Sequence, residues 1–66
     1  MKNNIRIERA ILNITQQQLA EQIGVSRQTI NAMESNKYVP STVLALKIAK
    51  LFAQQVEEIF LLDEED

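Results

Sequence analysis

The 66-residue sequence contains no cysteine and no histidine, and only one glycine and one proline. Without cysteine there is no disulfide and no thiolate site to staple a small fold. Without either residue, zinc-finger ligation, imidazole general acid–base catalysis and nucleophilic triads built on an imidazole are excluded. The sequence also lacks a Gly-rich phosphate loop, a nucleophile–base pair and a metal-ligand cluster, and a domain this small has no room for a deep pocket. No enzyme, no cofactor and no small-molecule ligand are expected. Apolar runs such as Ile59 to Leu62 are far too short to span a bilayer. The opening residues, MKNNIRIE, lack the apolar stretch of a signal peptide. A cytoplasmic protein with no membrane partner is expected.

What is present reads as one globular domain over residues 1–66, because 45% of the residues are apolar and only 24% charged. The net charge of −2 is unevenly divided. Residues 1–50 carry all seven basic side chains against Glu8, Glu21 and Glu34, a net of +4; residues 51–66 carry six acidic side chains and no basic one, a net of −6. A partner senses the local field, which is screened beyond roughly 8 Å at physiological salt. The front of the chain can therefore meet a polyanion while the acidic end points away.

Strand signals are nearly absent, with no Asn-Gly or Asp-Gly pair and no sustained alternation. Helical signals are frequent. Asn3 or Asn4 can cap a first helix that carries Ile5, Ile11 and Leu12 and ends near Asn13. Thr15 and Gln18 form a T-x-x-Q capping box. The helix it opens runs through Leu19, Ala20 and Ile23 and stops at Gly24. Ser26 caps a third helix, RQTINAME, with Ile30 and Met33 on one buried face. After the polar loop SNKYVP, Ser41 caps a fourth helix with Leu44, Ile48, Leu51 and Phe52 along one stripe. Val56 to Leu61 or Leu62 reads as a short fifth helix, weakly marked at its start by Gln55. The fold class predicted is an all-α bundle of five helices.

The stretch that carries chemistry is residues 15–34, TQQQLAEQIGVSRQTINAME. Only Gly24 and Val25 separate the second helix from the next cap, a link so short that the helices must cross steeply. Ala20 is small where they approach. Gly24 can take the left-handed conformation that turns the chain. Leu19, Ile23, Val25, Ile30 and Met33 close a core beneath the pair, leaving Ser26, Arg27, Gln28 and Thr29 polar and protruding. Such donor-rich side chains read base edges in a major groove, Arg pairing with guanine and Gln with adenine.

This segment resembles the lambda-repressor-like helix-turn-helix family, the Xre or Cro/C1 type. The likeness runs from Ile5 to Phe60 through GVSRQTIN, ESNKYVPS, LALKIAKLF and VEEIF, and is strongest to short stand-alone members such as the repressor of cytolysin operons. The sequence departs from the family at Glu8, usually apolar, and at Asn13, often glycine. The resemblance implies a transcriptional regulator, in type a repressor, that binds double-stranded DNA. It implies base contacts by Arg27, Gln28 and Asn31, with Asn31 equally placed for a phosphate. It implies phosphate contacts by Gln16 at the start of the second helix and by Asn36, Lys37 and Tyr38 in the loop. Ser26 and Thr29 belong to the same polar face, although capping alone explains Ser26, and Tyr38 is equally placed to pack on the fourth helix. Arg9 and Glu34 match a structural ion pair of the family. Lys47 and Lys50 read as solvated or helix-end charges.

Two further expectations concern the chain's end, residues 55–62. Val56, Ile59, Phe60, Leu61 and Leu62 exceed what one helix face can bury, and an exposed apolar patch marks an interface. A two-fold homodimer reading a palindrome, with half-sites roughly 34–36 Å apart, follows. Close family members add a short strand pairing between the chain ends, which would extend Leu61 and Leu62 beside residues 1–3. The rival reading is an antitoxin-like or anti-regulator module whose partner is another protein, served by the apolar terminal helix and the acidic run Asp63 to Asp66. That run also resembles a metal-binding cluster, but a terminal string of carboxylates is normally solvated.

Overall fold

A computed structural model describes residues 1–66. It places β1 at Lys2–Asn3, α1 at Ile5–Leu12, α2 at Gln16–Ile23, α3 at Arg27–Glu34, α4 at Thr42–Phe52, α5 at Val56–Ile59 and β2 at Phe60–Leu61. Five helices surround one core of twelve apolar residues, with Ile5, Leu19, Ile30, Met33, Ile48 and Ile59 almost fully covered. No helix is long and apolar enough to cross a membrane.

The helix boundaries follow from local chemistry. The Thr15 hydroxyl accepts from the Gln18 N–H at 3.0 Å, and the Gln18 side chain accepts from the Thr15 N–H at 2.8 Å, so the capping box is complete. Ser26 and Ser41 cap α3 and α4, each accepting at 3.2 Å from the backbone N–H three residues on. Asn4 stands at the N-cap of α1, but the side chain that caps is that of Asn3, whose Oδ1 accepts from the Ile5 N–H at 3.1 Å. At the other ends, Asn13, Gly24 and Ala53 turn left-handed with φ of 57°, 76° and 54°. Asparagine tolerates that region, which is how Asn13 serves where the family often has glycine.

Of the apolar residues carried by the first helix, Ile5 is buried, whereas Ile11 is 70% exposed and Leu12, its last residue, 47%. One turn after Ile5 the inward face is taken by Arg9, which reaches across to α3. At about 100° per residue, Ile11 points roughly 200° away from it. The last helix stops at Ile59 rather than at Leu61 or Leu62, because Phe60 turns extended with φ −110° and ψ 123°. Lys2 then faces Leu61 and Asn3 faces Phe60 in an antiparallel pair, the terminal pairing implied by the family resemblance. Asn4 closes this clasp: its backbone N–H donates to the Ile59 carbonyl at 2.8 Å and its side-chain amide to the Glu58 carbonyl at 3.1 Å. Carbonyls left open by so short a helix are thus satisfied from the other chain end.

Two of the three left-handed helix ends, Gly24 and Ala53, respond in opposite directions to substitution. A Cβ on Gly24 meets nothing within 4 Å, so Gly24→Ala should lose only the backbone term, about 1 kcal/mol. Ala53→Gly should gain a similar amount, less the added freedom of the unfolded chain. Urea unfolding of both variants checks this, with Gly24→Ala below wild type and Ala53→Gly above it.

Candidate nucleic-acid interface

Beneath the polar face of α3 lies one buried carboxylate. Glu34, the last residue of α3, has 1% of its side chain exposed. The Arg9 guanidinium of α1 grips it with two hydrogen bonds, Nε to Oε2 at 2.7 Å and Nη2 to Oε1 at 3.1 Å. A third nitrogen of Arg9, Nη1, donates to the Ile14 carbonyl at 3.0 Å in the α1–α2 connection. Gln16, the first residue of α2, donates from Nε2 to Glu34 Oε1 at 3.1 Å. The Arg6 guanidinium, mostly exposed, stands 3.5 Å from the same oxygen. Burial works against ionisation of Glu34, but the hydrogen bonds from Arg9 and Gln16 and the positive charge of Arg9 outweigh it. They hold the carboxyl below the ordinary glutamate range. The side chain therefore stays charged and acts as an acceptor only.

The sequence-predicted residues fall into three groups. Arg27, Gln28 and Asn31 are exposed on α3 and line a polar notch of about 230 Å³. Neither the Arg27 nor the Gln28 side chain makes a hydrogen bond or ion pair within the chain. Arg27 also borders a wider polar depression of about 570 Å³ floored by Asn13, Thr15, Gln16 and Gln17 at the start of α2. Gln16, Ser26, Thr29 and Asn36 are already engaged. The Ser26 and Thr29 hydroxyls lie 2.9 Å apart, and Asn36 Oδ1 accepts from Asn3 Nδ2 at 3.0 Å. Lys37 and Tyr38 are exposed in the loop after α3, and no ion pair holds Lys37. Tyr38 is not buried against α4; the residue is 44% exposed.

Sequence reasoning offered Asn3 only as a helix cap, missing its hold on α3, and missed Arg6 altogether. Asn3 Nδ2 donates to the Met33 carbonyl at 2.7 Å as well as to Asn36, so the first strand latches the end of α3 and the left-handed turn at Asn36. Their partners at the end of α3 and in the turn after it lie about thirty positions away, beyond what spacing reveals. The acidic end was read as solvated tail, yet Asp63 and Asp66 each come within 3.0 Å of the Met1 amino group.

The apolar terminal residues divide differently from expectation. Ile59 and Phe60 are buried in the chain's own core and Val56 is half-buried, whereas Leu61 and Leu62 are 40% and 80% exposed. Ile59 is thus withdrawn from any interface with another molecule. An apolar groove of about 230 Å³ runs between Met1, Val39, Leu46, Val56 and Phe60.

A capped helix, a two-residue turn and a second capped helix with an unpartnered polar first turn agree with the comparison to known proteins. The family described as Helix-turn-helix matches residues 5–59. The chain belongs to that family, in its Cro/C1 or Xre type. Relatives include an uncharacterised HTH-type transcriptional regulator of Methanocaldococcus jannaschii, 50% identical over the whole of both chains. Another, from Bacillus subtilis, is 47% identical over the whole of both chains. A third, from Archaeoglobus fulgidus, is 47% identical over all of this chain and 93% of its own. Family and relatives point to a non-enzymatic regulator.

The Arg9–Glu34 pair yields a stability prediction with a definite sign in pH. Arg9→Ala strands a buried charge and should cost about 3–5 kcal/mol, most of it recovered when Glu34→Leu is added to Arg9→Met. The folded-state pKa of Glu34 lies below its unfolded value, about 4.3. Its contribution is therefore fully present above that value and is lost as pH falls through the folded one. The stability gap between wild type and Glu34→Gln, measured by urea unfolding, should be widest at neutral pH and close in acid.

Proposed function

We propose that this helix-turn-helix protein is a sequence-specific, DNA-binding transcriptional regulator that binds a palindromic operator as a homodimer and acts as a repressor in the cytoplasm. The observation that carries the reading is the first turn of α3. Arg27 and Gln28 project there without partners on a helix held at both ends, by the Ser26 cap and by the Glu34 ion pair. A rigid base beneath free donors is what base readout requires, because side chains already paired would have to break bonds to bind. Lys37, Asn36 and Tyr38 follow as contacts to the phosphate backbone, and Gln16 and Thr29 lie along the same edge. Occupancy of the groove excludes other proteins from the same base pairs, so repression requires no further machinery.

The dimer rests on the exposed Leu61 and Leu62 and on the apolar groove lined by Val56 and Phe60, surfaces that a second copy would bury. One recognition helix reads too few base pairs to locate a site in a genome; two related by a two-fold axis read twice as many. A second reading, a module whose partner is another protein, draws on Ile7 and Ile11, 59% and 70% exposed on the outer face of α1. Mobility shift on random DNA at low salt separates the two, since a pure interaction module should give no shift.

Arg27→Ala should weaken operator binding by about 1–3 kcal/mol and relax preference at one base pair, most readily a G·C pair. Lys37→Ala should weaken binding on all sequences alike and reduce the salt slope by about one. Titrations on operator and random duplexes at several salt concentrations check both, and equal losses for Arg27→Ala on the two duplexes would reduce Arg27 to a phosphate contact. For the dimer, sedimentation at micromolar concentration should show Leu62→Glu as a monomer and wild type as a dimer. A monomeric wild type that binds half-sites as well as palindromes would remove the dimer.

A further inference from the structure

We propose that Glu34 is a positioning residue for base readout: through Gln16 it turns the carboxamide nitrogen of Asn31 outward, so that position 31 selects a hydrogen-bond acceptor in the major groove. The inference rests on the reading of this face as the DNA-contacting one and adds to it the polarity of one contact.

The ionised Glu34 carboxylate can only accept hydrogen bonds. Arg9 and Arg6, both from α1, are the charged groups that face Glu34, and they keep it ionised. The Gln16 side chain packed against it must therefore offer its nitrogen, and does so at 3.1 Å. An amide nitrogen carries two hydrogens. The second is shared with Asn31 Oδ1 at 3.4 Å, one turn before Glu34 on α3. With its oxygen engaged inward, Asn31 keeps Nδ2 for the outside, where it joins Arg27 and Gln28 around the polar notch.

The consequence is chemical. A free asparagine amide shows a donor and an acceptor together and pairs bidentately with adenine N6 and N7. An asparagine whose oxygen is turned inward toward Gln16 presents its Nδ2 donors to the groove. It suits guanine N7 and O6, adenine N7 or thymine O4, and it refuses the cytosine amino group, which is a donor itself. Glu34 touches no DNA in this scheme and acts only through the orientation it imposes.

Two measurements test this on the full chain. In the free protein, Gln16→Ala leaves the Arg9–Glu34 pair intact, and the Asn31 Cγ carbonyl resonance should shift as it loses its donor. An unmoved resonance would overturn the relay. In vitro selection of bound duplexes should enrich an acceptor-bearing base opposite position 31 for wild type. Asn31→Asp has the same shape, keeps one oxygen toward Gln16 and turns the other outward. Its preferred base at that pair should switch to cytosine, by roughly tenfold over the wild-type base. Glu34→Gln, in which Gln16 meets a partner that can donate or accept, should flatten the preference at that pair if it folds. An enriched wild-type site whose preference at that pair is unchanged in Asn31→Asp would place Asn31 on a phosphate and overturn this inference alone. No enriched site for wild type would overturn the DNA-binding reading and this inference with it.

Discussion

The arrangement of the three N-terminal helices depends on how the Glu34 carboxylate is kept charged while almost wholly removed from water. An isolated buried carboxylate would take up a proton, since desolvation disfavours the charged form. Here two nitrogens of Arg9 and one of Gln16 close around it, and Arg9 also holds the Ile14 carbonyl. One acceptor group thereby ties α1, the α1–α2 connection, the start of α2 and the end of α3. No buried side-chain polar atom is left without a partner, so the arrangement carries no unpaired polar group that would favour loosening. The cost of the arrangement falls on α1, which gives part of its inward face to arginine and leaves Ile7 and Ile11 in solvent.

On that base the recognition helix is held by short-range and long-range devices in series. The Ser26 cap fixes its start, and Gly24 turns the chain out of α2 in the left-handed conformation. Its end is held by Glu34 and, from the far side, by Asn3, which binds the Met33 carbonyl and the turn at Asn36. Asn3 sits in the strand that pairs with Phe60–Leu61, so the clasp between the chain ends and the position of the recognition helix are mechanically one structure. An interface built on Leu61 and Leu62 would therefore lie one strand away from the residue that latches α3. The separation of charge serves the same end, since Asp63 and Asp66 turn toward the Met1 amino group rather than toward the polar face of α3.

The helices, their order and most of their ends were legible in the residues. Thr15, Ser26 and Ser41 cap through the backbone three residues on, and Gly24 and Asn13 turn left-handed at the positions their side chains allow. These are local effects, decided by neighbours within one helical turn. The protrusion of Arg27 and Gln28 followed from the same local pattern, whereas Asn31 was placed by family likeness. The Arg9–Glu34 pair came from family likeness, not from spacing, since no local pattern links residues 25 positions apart.

Only the tertiary structure decided the rest, and each case turns on a competitor distant in sequence. Ile11 and Leu12 fit an apolar stripe until Arg9 claims the inward face for Glu34. Val56 to Leu62 fits a helix until Asn4 offers its amide groups to the Glu58 and Ile59 carbonyls, after which an extended Phe60 bonds better than a helical one. Gln16 and Asn36, named in the sequence only as phosphate contacts, also gain Glu34 and Asn3 as partners. Propensity and periodicity describe what a segment can do alone. Which of two satisfactory arrangements prevails is set by the hydrogen-bond partner that folding brings to it from elsewhere in the chain.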